Sequence, residues 1–539
     1  LLYRLKNIKI FDPACGSGNF LIIAYKELRR LEMEIFKEMG SLALSEISLN
    51  QFYGIELDDF AHEIAILALW LTKHQMNVEF FKEFGRTNPT LPLTDAGNIV
   101  QGNACRLNWE EVCPKNENDE VYVLGNPPYL GYSVQTSLQK EDMAFVFREF
   151  KEFKSLDYIS CWFWKGAKFI RDSSCMLSFV STNSICQGEQ VSLFWPNIFT
   201  LGLEIGYAHT SFKWINNAKH NAGVICIIVG IRNHSIKPKF IFKKNRSNKV
   251  KNIGPYLTNS PNLYVTKRNE ALSTIPKIGY GSSALDGGFL ILSTEEKNSL
   301  VSAYPKSAPL VKKIIGSQEL IKGIERWCLW IEDDKVSLAN SIPPINKRIL
   351  EVQAFRKLSK RGPTIKAALI PHRFGEPRFI EGSTIVMPKV SSERRDYIPL
   401  GYFDSGAVIM DKAFPIYDAD PYLFSILSSR IKMVWIKTVS GRLKADYSYS
   451  SSICYNTFPF PTISKQRKEE LTQCTLKIID ERLKHSEKTL AQLYDPDKMP
   501  EGLKEAHHQN DLAVERCYRS TPFNSDEERL EYLFKLYEK

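Results

Sequence analysis

The amino-acid sequence predicts an α/β fold with three parts: a doubly wound, Rossmann-like sheet domain over residues 1–235, a mixed β-rich domain over 236–462 and a helical segment over 463–539. Three observations predict this order. Strand-like and helix-like segments alternate at first, short strand-like runs between Pro, Gly and Ser turns follow, and charged segments with helical spacing end the chain. The length of 539 residues allows two to four domains with large cores.

The first strand and the first helix are joined by a glycine-rich turn. NIKIFDPACGSGNF at 7–20 has the pattern of a strand that runs into such a turn. LIIAYKELRRLEMEIFKEM at 21–39 then places its apolar residues at helical spacing. This pair predicts the first strand–helix unit of a parallel sheet.

The same alternation continues along the chain. QFYGIEL at 51–57 predicts a second strand, and DDFAHEIAILALWLTKHQM at 58–76 predicts the helix after it. Further apolar, β-branched runs predict the remaining strands: NIVQGNA at 98–104, VYVLG at 121–125, LSFVSTNSI at 177–185 and GVICIIVGI at 223–231.

After about residue 235 the pattern changes. Runs such as GEPRFIEGSTIVMPKV at 375–390 alternate strand-like residues with turn residues and predict a mixed, β-rich domain. From 464 onward charged segments with helical spacing predict helices, and SDEE at 525–528 has the serine and early acids of a helix start. We interpret these last helices as a packing module.

Composition limits the class of protein. Hydrophobic residues make up 43% and charged residues 24%, as in ordinary soluble proteins. The longest apolar run, at 222–231, is too short for a membrane span, and no signal peptide is evident. Because the first residue is Leu rather than Met, we expect the chain to be a fragment or to lack its start. Eleven scattered cysteines fit neither a zinc site nor a disulfide framework, so we expect a reducing, cytoplasmic setting and no metal.

The charge is concentrated in the middle of the chain. Residues 231–460 hold 36 Lys and Arg against 19 Asp and Glu, whereas the segments on either side are mildly acidic. Clustered positive charge favours a polyanion-binding module such as a nucleic-acid-binding domain. The alternative is a basic surface that is merely solvated.

The glycine turn predicts a nucleotide-like ligand. Gly16 and Gly18 allow a tight turn and close approach of the backbone, but Leu21 stands where a dinucleotide fold would have its third glycine. Asp12 and Glu56 end neighbouring predicted strands. They suit a nucleoside with a sulfonium and an amino-acid tail, because one acid can bind the ammonium and the other the ribose hydroxyls. The alternative is a glycine helix cap with an incidental acid.

Asn-Pro-Pro-Tyr follows the fourth predicted strand, within VYVLGNPPYLGY at 121–132. Two prolines end a strand because neither can donate a hydrogen bond to its ladder. The motif alone is equally consistent with a rigid turn and with a reactive site.

Four segments together resemble motifs I to IV of S-adenosylmethionine-dependent amino-methyltransferases that act on DNA adenine: DPACGSGNF at 12–20, YGIELDD at 53–59, QGNACRLNW at 101–109 and GNPPY at 125–129. Further segments resemble the MmeI-like (type IIL) restriction–modification family over nearly the whole chain. These are SLDYISCWFWKGAKFI at 155–170, LSFVSTNSICQGEQV at 177–191, AHTSFKWINNAKHNAGVICIIVGI at 208–231, DYSYSSSICYNTFPFP at 446–461 and LYDPDKMPEGLKEAHHQNDLAVERCYR at 493–519.

The resemblance implies a class I methyltransferase domain that uses S-adenosylmethionine and modifies the N6 amine of an adenine flipped out of duplex DNA. It assigns the cofactor to Asp12, Ala14, Cys15, Gly16, Gly18, Phe20, Glu56, Leu57 and Asn103. Many methyltransferases have an aspartate at the position of Asn103, but an amide can also hydrogen-bond an adenine edge.

The resemblance places catalysis in the turn of Asn126, Pro127, Pro128 and Tyr129. An adenine amine is a poor nucleophile, and acceptors aimed at its hydrogens would stabilise the positive charge that develops as it attacks. The Asn126 side-chain oxygen and the Pro127 carbonyl suit this role, and Pro128 stiffens the turn. Tyr129 would stack on the flipped base, with Phe212 or Trp214 as a second wall or as ordinary core aromatics.

The basic block would then be the target-recognition domain. Candidate DNA-binding residues, for phosphate contact or base reading, are Lys389, Arg394, Arg395, Arg442 and Lys444.

Two other functions stay open: methylation of RNA bases or a glutamine amide, and a DNA-binding remnant without activity. Family members carry a nuclease domain and a helical segment before motif I, which here begins at residue 12. We therefore expect no nuclease domain in this chain, and a nuclease domain or subunit as a possible partner.

Overall fold

The structure is a computed structural model that describes residues 1–40, 44–86, 97–213, 225–244, 246–403, 406–443 and 445–539. The chain divides into two compact units, Leu1–Val265 and Thr266–Lys539. The predicted α/β fold is confirmed, with a large parallel-rich sheet in the first unit, small sheets in the second unit and helices at the C-terminus.

The first unit contains nine strands and seven α-helices among its described residues. The strands are β1 Lys9–Asp12, β2 Phe52–Glu56, β3 Asn98–Gln101, β4 Val121–Gly125, β5 Met176–Thr182, β6 Leu203–Lys213, β7 Ile225–Asn233, β8 Lys239–Lys243 and β9 Arg246–Val250. The helices are α1 Leu2–Asn7, α2 Asn19–Met39, α3 Asp59–Phe84, α4 Trp109–Val112, α5 Ser137–Val146, α6 Ser160–Ile170 and α7 Gly188–Phe199.

The described strands of the first unit form one sheet in the order β3-β2-β1-β4-β5-β7-β6-β8-β9. The strands from β3 to β5 are parallel, and β7 runs antiparallel to both β5 and β6. The chain winds outward from β1 to β3 on one side and returns to β4 on the other. The strand order therefore reverses between β1 and β4, and such a reversal opens a crevice at the carboxyl ends of the strands.

Helices cover both faces of this sheet. Ile10 packs in a core with Leu21 of α2 and Leu69 of α3. The next residue, Phe11, points to the opposite face, where its ring centre lies 5.4 Å from that of Trp109 in α4. This is the doubly wound arrangement.

Helix α3 begins at a capping aspartate and ends at a glycine. Asp58 caps α3 by accepting a hydrogen bond from Ala61 N at 2.8 Å. The sequence predicted an end of this helix at Met76, but α3 runs on to Phe84 and ends at Gly85, whose φ is +66°. The apolar spacing continues through Phe80, so no signal stops the helix before the glycine.

The second unit begins with short strands and helices. Its strands are β10 Ile291–Leu292, β11 Val311–Ile315, β12 Arg326–Leu329, β13 Thr384–Pro388, β14 Val390–Ser391, β15 Gly401–Phe403, β16 Val408–Ile409, β17 Ala413–Tyr417, β18 Gly441–Leu443 and β19 Asp446–Ser448. Its helices are α8 Thr294–Ala303, α9 Ser317–Lys322, α10 Val336–Ser341, α11 Pro343–Lys357, α12 Gly362–Lys366, α13 Pro421–Leu427, α14 Arg430–Val439, α15 Lys465–Leu483, α16 Leu490–Leu493, α17 Glu501–Glu515 and α18 Asp526–Tyr537.

The described strands of the second unit form three small sheets, ordered β10-β12-β11-β16, β15-β13-β17 and β14-β19-β18. The predicted serine start of the last helix is confirmed, because Ser525 accepts a hydrogen bond from Glu528 N at 3.1 Å. In the described parts of the chain no helix has an apolar stretch long enough to cross a membrane. The eleven cysteines, all described, carry free thiols.

Candidate functional site

Three strands end side by side at the reversal of strand order. Asp12 is the last residue of β1, Glu56 is the last residue of β2, and Asn126 follows Gly125 at the end of β4. In parallel sheets such ends converge on the ligand crevice. The topology therefore brings the glycine turn, the acid of β2 and the Asn-Pro-Pro-Tyr turn to the same edge.

The glycine turn is held by the acids that flank it. Asp12 Oδ1 accepts a hydrogen bond from Ala14 N at 3.0 Å, and Glu56 Oε2 accepts one from Gly16 N at 2.8 Å. Cys15 N donates to Ile55 O at 3.0 Å. Gly16 and Gly18 have φ of +54° and +83°, a region that favours glycine. These contacts fix the turn against the end of β2.

Asp12 has an unused acceptor. Its side chain is 1% exposed, and its Oδ2 has no hydrogen-bond partner in the described structure. Burial, with a smaller contribution from the nearby Glu56, raises the pKa of Asp12 to about 7. A Cβ at Gly125 would overlap this carboxyl group, so only glycine lets β4 and its turn lie so close to Asp12. A buried oxygen without a partner suits a cationic or hydrogen-donating ligand.

A cavity of about 770 Å³ opens at this edge. It is lined by Pro13, Ala14, Ile55, Glu56, Leu57, Gly102, Asn103, Ala104, Arg106, Asn126, Pro128, Thr136, Leu138, Gln139, Glu141, Asp142, Tyr158 and Trp162. Six of these residues were predicted from the sequence: Ala14, Glu56, Leu57, Asn103, Asn126 and Pro128. The cavity thus joins residues of the predicted cofactor site to residues of the predicted catalytic turn.

Other predicted residues are not among the described lining residues of the cavity. Pro127 is buried, and Phe20 is half-buried in the first turn of α2. Cys15 is buried next to Gly54, where burial raises the pKa of its thiol well above the usual range. Asp12 and Gly16 hydrogen-bond the lining residues Ala14 and Glu56, and a Cβ at Gly18 would lie 3.4 Å from Ala65 of α3.

The Asn-Pro-Pro-Tyr turn carries an internal hydrogen bond. The Tyr129 hydroxyl donates to Asn126 Oδ1, and it lies 3.8 Å from Cys226 Sγ on β7. Cys226 is paired in the sheet with Phe212 of β6. Tyr129 and Phe212 are therefore neighbours through Cys226, and Trp214 lies outside the described residues.

Asp142 is a cavity residue that sequence reasoning missed. Its carboxylate accepts hydrogen bonds from Asn103 Nδ2 at 2.9 Å, Arg106 Nε at 2.6 Å and Tyr158 OH at 2.8 Å. These donors hold the pKa of Asp142 below its usual value despite burial. Asn103 Oδ1 in turn accepts from Cys105 N at 2.9 Å. No motif marks Asp142, which reaches the site from α5.

Two residues of α6 fasten the cavity wall and were also missed. Trp162 Nε1 donates to Pro13 O at 3.0 Å. Lys165 Nζ donates to Cys105 O at 3.1 Å and to Leu107 O at 2.6 Å, and burial lowers the pKa of Lys165 to about 8. The only signal in the sequence is the aromatic-rich segment CWFWK at 161–165.

The predicted DNA-binding cations lie in the second unit, and the described ones make internal contacts. Arg394 pairs with Asp497, Arg395 Nη1 donates to Ser391 Oγ at 3.3 Å, and Arg442 lies 3.7 Å from Glu393 and stacks on Tyr447. Lys389 Nζ lies 4.9 Å from the centre of the Phe414 ring. Lys444 lies outside the described residues.

A small sheet brings these cations near one another. Lys389, Arg394 and Arg395 flank β14, and Arg442 lies on β18 of the same sheet.

Among the described residues, no cluster of three His, Cys, Asp or Glu side chains could hold a metal ion.

Comparisons with known proteins match the chain along its length. Three family models match in succession: MmeI, DNA-methyltransferase domain, over residues 1–243; MmeI, target recognition domain, over 259–462; and MmeI, C-terminal domain, over 463–539. DNA methyltransferase A of Bacillus subtilis (strain 168) is 47% identical over 545 residues, which cover 100% of this chain and 62% of that protein.

A solved structure is similar over almost the whole chain. The type IIL restriction–modification enzyme MmeI in complex with DNA is 36% identical with a TM-score of 0.90, covering 99% of this chain and 73% of that one. The chain therefore spans about three fifths of the Bacillus relative and about three quarters of the solved relative.

Proposed function

Because this chain belongs to the MmeI family of restriction–modification enzymes, we propose that it is a site-specific DNA methyltransferase that moves a methyl group from S-adenosylmethionine to the N6 amine of a flipped adenine. One observation carries the proposal. A single cavity is lined by Ala14, Glu56 and Asn103 and also by Asn126 and Pro128. Residues suited to bind the methyl donor and residues suited to bind the acceptor amine thus line the same cavity.

The residues around the glycine turn fit S-adenosylmethionine. The unpartnered Asp12 Oδ2 suits its ammonium group, and the Glu56 carboxylate lies on the cavity wall, where it suits ribose hydroxyls. Leu57 is 68% exposed on the same wall and offers an apolar surface for the adenine ring. When bound, S-adenosylmethionine supplies a methyl group activated by a sulfonium.

Asn103 and Asp142 suit the polar edge of that adenine. The hydrogen bonds from Asn103 Nδ2 to Asp142 and from Cys105 N to Asn103 Oδ1 fix the amide plane. The Asn103 side chain can still make further hydrogen bonds. Its oxygen has two acceptor positions and its nitrogen has two hydrogens, and each atom uses one of them in these contacts. We assign Asp142 as the positioning residue for Asn103.

The turn after β4 suits the acceptor amine. Asn126 Oδ1 accepts from Tyr129 and keeps a second acceptor position, which can receive a hydrogen from the adenine amine. The Pro127 carbonyl is the second acceptor in the proposal. Both would stabilise positive charge on the nitrogen in a site where Pro128 limits reorganisation. Tyr129 and Phe212 would stack on the two faces of the base.

In this proposal the second unit selects the DNA site. We assign methyl transfer to residues 1–235, target recognition to 236–462 and a packing role to 463–539. The match of 259–462 to a target recognition domain and the excess of positive charge over 231–460 support this division.

The proposal is tested by expressing the chain in cells that lack DNA methylation and sequencing their DNA for modified adenines. We expect N6-methyladenine at one short recurring sequence, absent from cells with an empty vector. Unmodified DNA, together with a purified chain that binds S-adenosylmethionine but methylates neither duplex DNA nor RNA, would overturn it. Methylation of RNA alone would favour an RNA-base methyltransferase.

A further inference from the structure

One stretch of the second unit combines strong positive charge with a complete lack of acids. No Asp or Glu occurs between Glu351 and Glu376, and the 24 residues between them include six Lys or Arg. The stretch covers the end of α11, the short helix α12 and the connection that follows. None of these cations was among the residues that sequence reasoning selected for DNA binding.

Arg356 hydrogen-bonds both the end of this stretch and residues 284–285, which precede it in the second unit. Its fully buried guanidinium donates to five backbone carbonyls. The acceptors are Ala284 O at 2.8 Å, Leu285 O at 2.9 Å, Ala367 O at 2.9 Å, Ile370 O at 3.2 Å and Arg373 O at 2.7 Å. Arg356 therefore hydrogen-bonds residues that precede it in the chain as well as residues at the end of this stretch. The segment 357–370 between them is a short loop with fixed ends, which we call the basic loop.

The cations of the basic loop are exposed. Lys357, Lys360, Arg361 and Lys366 all lie on the surface, and within the described parts of the chain none of their side chains pairs with a carboxylate. Arg373, just beyond the loop, does pair, with Asp333 at 2.7 Å. The contrast extends to Arg394 and Arg442, which contact acids. Of the six cations between Glu351 and Glu376, the four of the basic loop are thus those with neither a carboxylate partner nor a buried carbonyl partner in the described structure.

Apolar side chains stand among these cations. Leu358 is 86% exposed and Leu369 is 84% exposed, with Ile365 and Ile370 partly exposed beside them. Water contact of this kind is unfavourable for large apolar groups. Four of them lie within residues 358–370, so this segment offers apolar surface that a partner could cover.

We propose that the basic loop is a DNA-binding surface on which Lys357, Lys360, Arg361 and Lys366 contact phosphates of the duplex while Leu358 and Leu369 pack against it. This inference rests on the proposed function, which supplies duplex DNA as the substrate. A polyanion suits an acid-free surface with four exposed cations, whereas protein–protein interfaces are depleted in lysine. Because the ends of the loop are already fixed, little backbone conformational entropy is lost on binding.

The test compares two variants of equal charge. In one, Lys357, Lys360, Arg361 and Lys366 are replaced by alanine. In the control, alanine replaces Lys306, Lys465, Lys488 and Lys498, which are exposed and have no carboxylate partner among the described residues. Binding of the full chain to a fluorescent 30-base-pair duplex is followed by anisotropy between 50 and 200 mM salt. The loop variant should bind more weakly, and its slope of log K against log salt should be less negative by up to about 3 to 4. The control should change far less.

A third variant, with arginine at 357, 360 and 366, should keep the slope of the original chain. Equal slopes for the loop and control variants would overturn the proposal and assign the loop to another partner. If the unaltered chain bound no duplex at any salt concentration, the proposed function would fail with it. Binding of the unaltered chain without a loop effect would overturn this inference alone.

Discussion

The hydroxyl group of Tyr129 donates a hydrogen bond to the side-chain oxygen of Asn126, within one turn at the mouth of the cavity. The bond fixes which end of the amide is the acceptor, and it leaves one acceptor position of that oxygen for another donor. The same hydroxyl lies near Cys226, which pairs with Phe212 in the sheet. The amide and both aromatic rings are therefore held by one set of contacts.

Replacing Asn126 by alanine should remove most methyl transfer. Loss of one preorganised group that stabilises developing charge lowers the rate by about 10² to 10³. Cofactor affinity should change little, because Asn126 is only one of the residues on a cavity of about 770 Å³. Single-turnover transfer of labelled methyl groups to DNA, with calorimetric titration of S-adenosylmethionine, separates the two effects. Near-normal transfer would refute the role of Asn126.

Substitutions at Tyr129 should separate stacking from hydrogen bonding. Tyr129→Phe keeps the ring and removes the hydroxyl group, with its bond to Asn126 and its contact with Cys226, so we expect a moderate loss of rate. Tyr129→Ala also removes the stacking surface, which is worth about 1–3 kcal/mol per base. Fluorescence of 2-aminopurine at the target position reports base flipping. Equal flipping by the alanine variant and the original chain would contradict a stacking role.

The raised pKa of Asp12 makes cofactor binding depend on pH. With a pKa of about 7 the carboxyl group is protonated below that pH, and it must lose its proton to pair with an ammonium group. Affinity for S-adenosylmethionine should therefore rise about tenfold between pH 6 and pH 8 and then level off. Binding at pH 7 should release about half a proton per cofactor, which calorimetry detects by comparing buffers with different ionisation enthalpies.

Asp12→Asn is the matched variant for this pH profile. It should bind the cofactor more weakly but with a nearly flat profile, because the amide does not titrate. A flat profile for the original chain would show that Asp12 does not pair with the ammonium group.

The parts of the fold visible in the sequence are those set by local periodicity. The strands that end at Asp12 and Glu56 and the helix that begins at Asn19 follow from apolar spacing and glycine positions. Strand β6 at Leu203–Lys213 was missed, because its polar residues interrupt the alternation and its place depends on antiparallel pairing with β7. Long-range pairing of this kind leaves little local signal.

The site shows the same division. The positions of Asp12, Glu56 and Asn126 at the sheet edge could be predicted from sequence, because each ends or directly follows a strand. Asp142 is not found, since it contacts Asn103 only after α5 folds across the cavity from 39 residues away. Counts of charge locate a basic domain but do not reveal pairing, so Arg394 was selected although it contacts Asp497.

Replacing Asp142 by alanine should weaken cofactor binding. Asn103, Arg106 and Tyr158 would each lose their shared acceptor, and the amide of Asn103 would lose its fixed orientation. We expect about a tenfold loss of affinity, typical of the removal of a charged hydrogen-bond partner. Glu141→Ala is the control, because Glu141 lines the same cavity from the preceding position.

A double-mutant cycle with Asn103→Ala tests the assignment of Asp142 as a positioning residue. If Asp142 acts through Asn103, the second substitution should add little to the first. Fully additive losses of cofactor affinity would mean that the two residues act separately.

Arg356 should be among the most sensitive positions for stability of the second unit. Arg356→Met fills similar space but leaves five backbone carbonyls without their donor, among them Ala284 O and Ala367 O. Each buried acceptor that stays unsatisfied costs about 1–3 kcal/mol, and water entry would satisfy part of the set. We therefore expect the free energy of unfolding to fall by at least about 3 kcal/mol, measured by urea denaturation.

The neighbouring Arg373 provides the control for Arg356. Its side chain pairs with Asp333 at the surface, so Arg373→Met should cost less than about 1 kcal/mol. Arg356→Lys retains a charge and three donors and should recover part of the loss, because an ammonium group cannot reach all five carbonyls. Equal losses in the free energy of unfolding at positions 356 and 373 would show that the carbonyls near Arg356 find other donors. The basic loop would then not depend on Arg356 for its fixed ends.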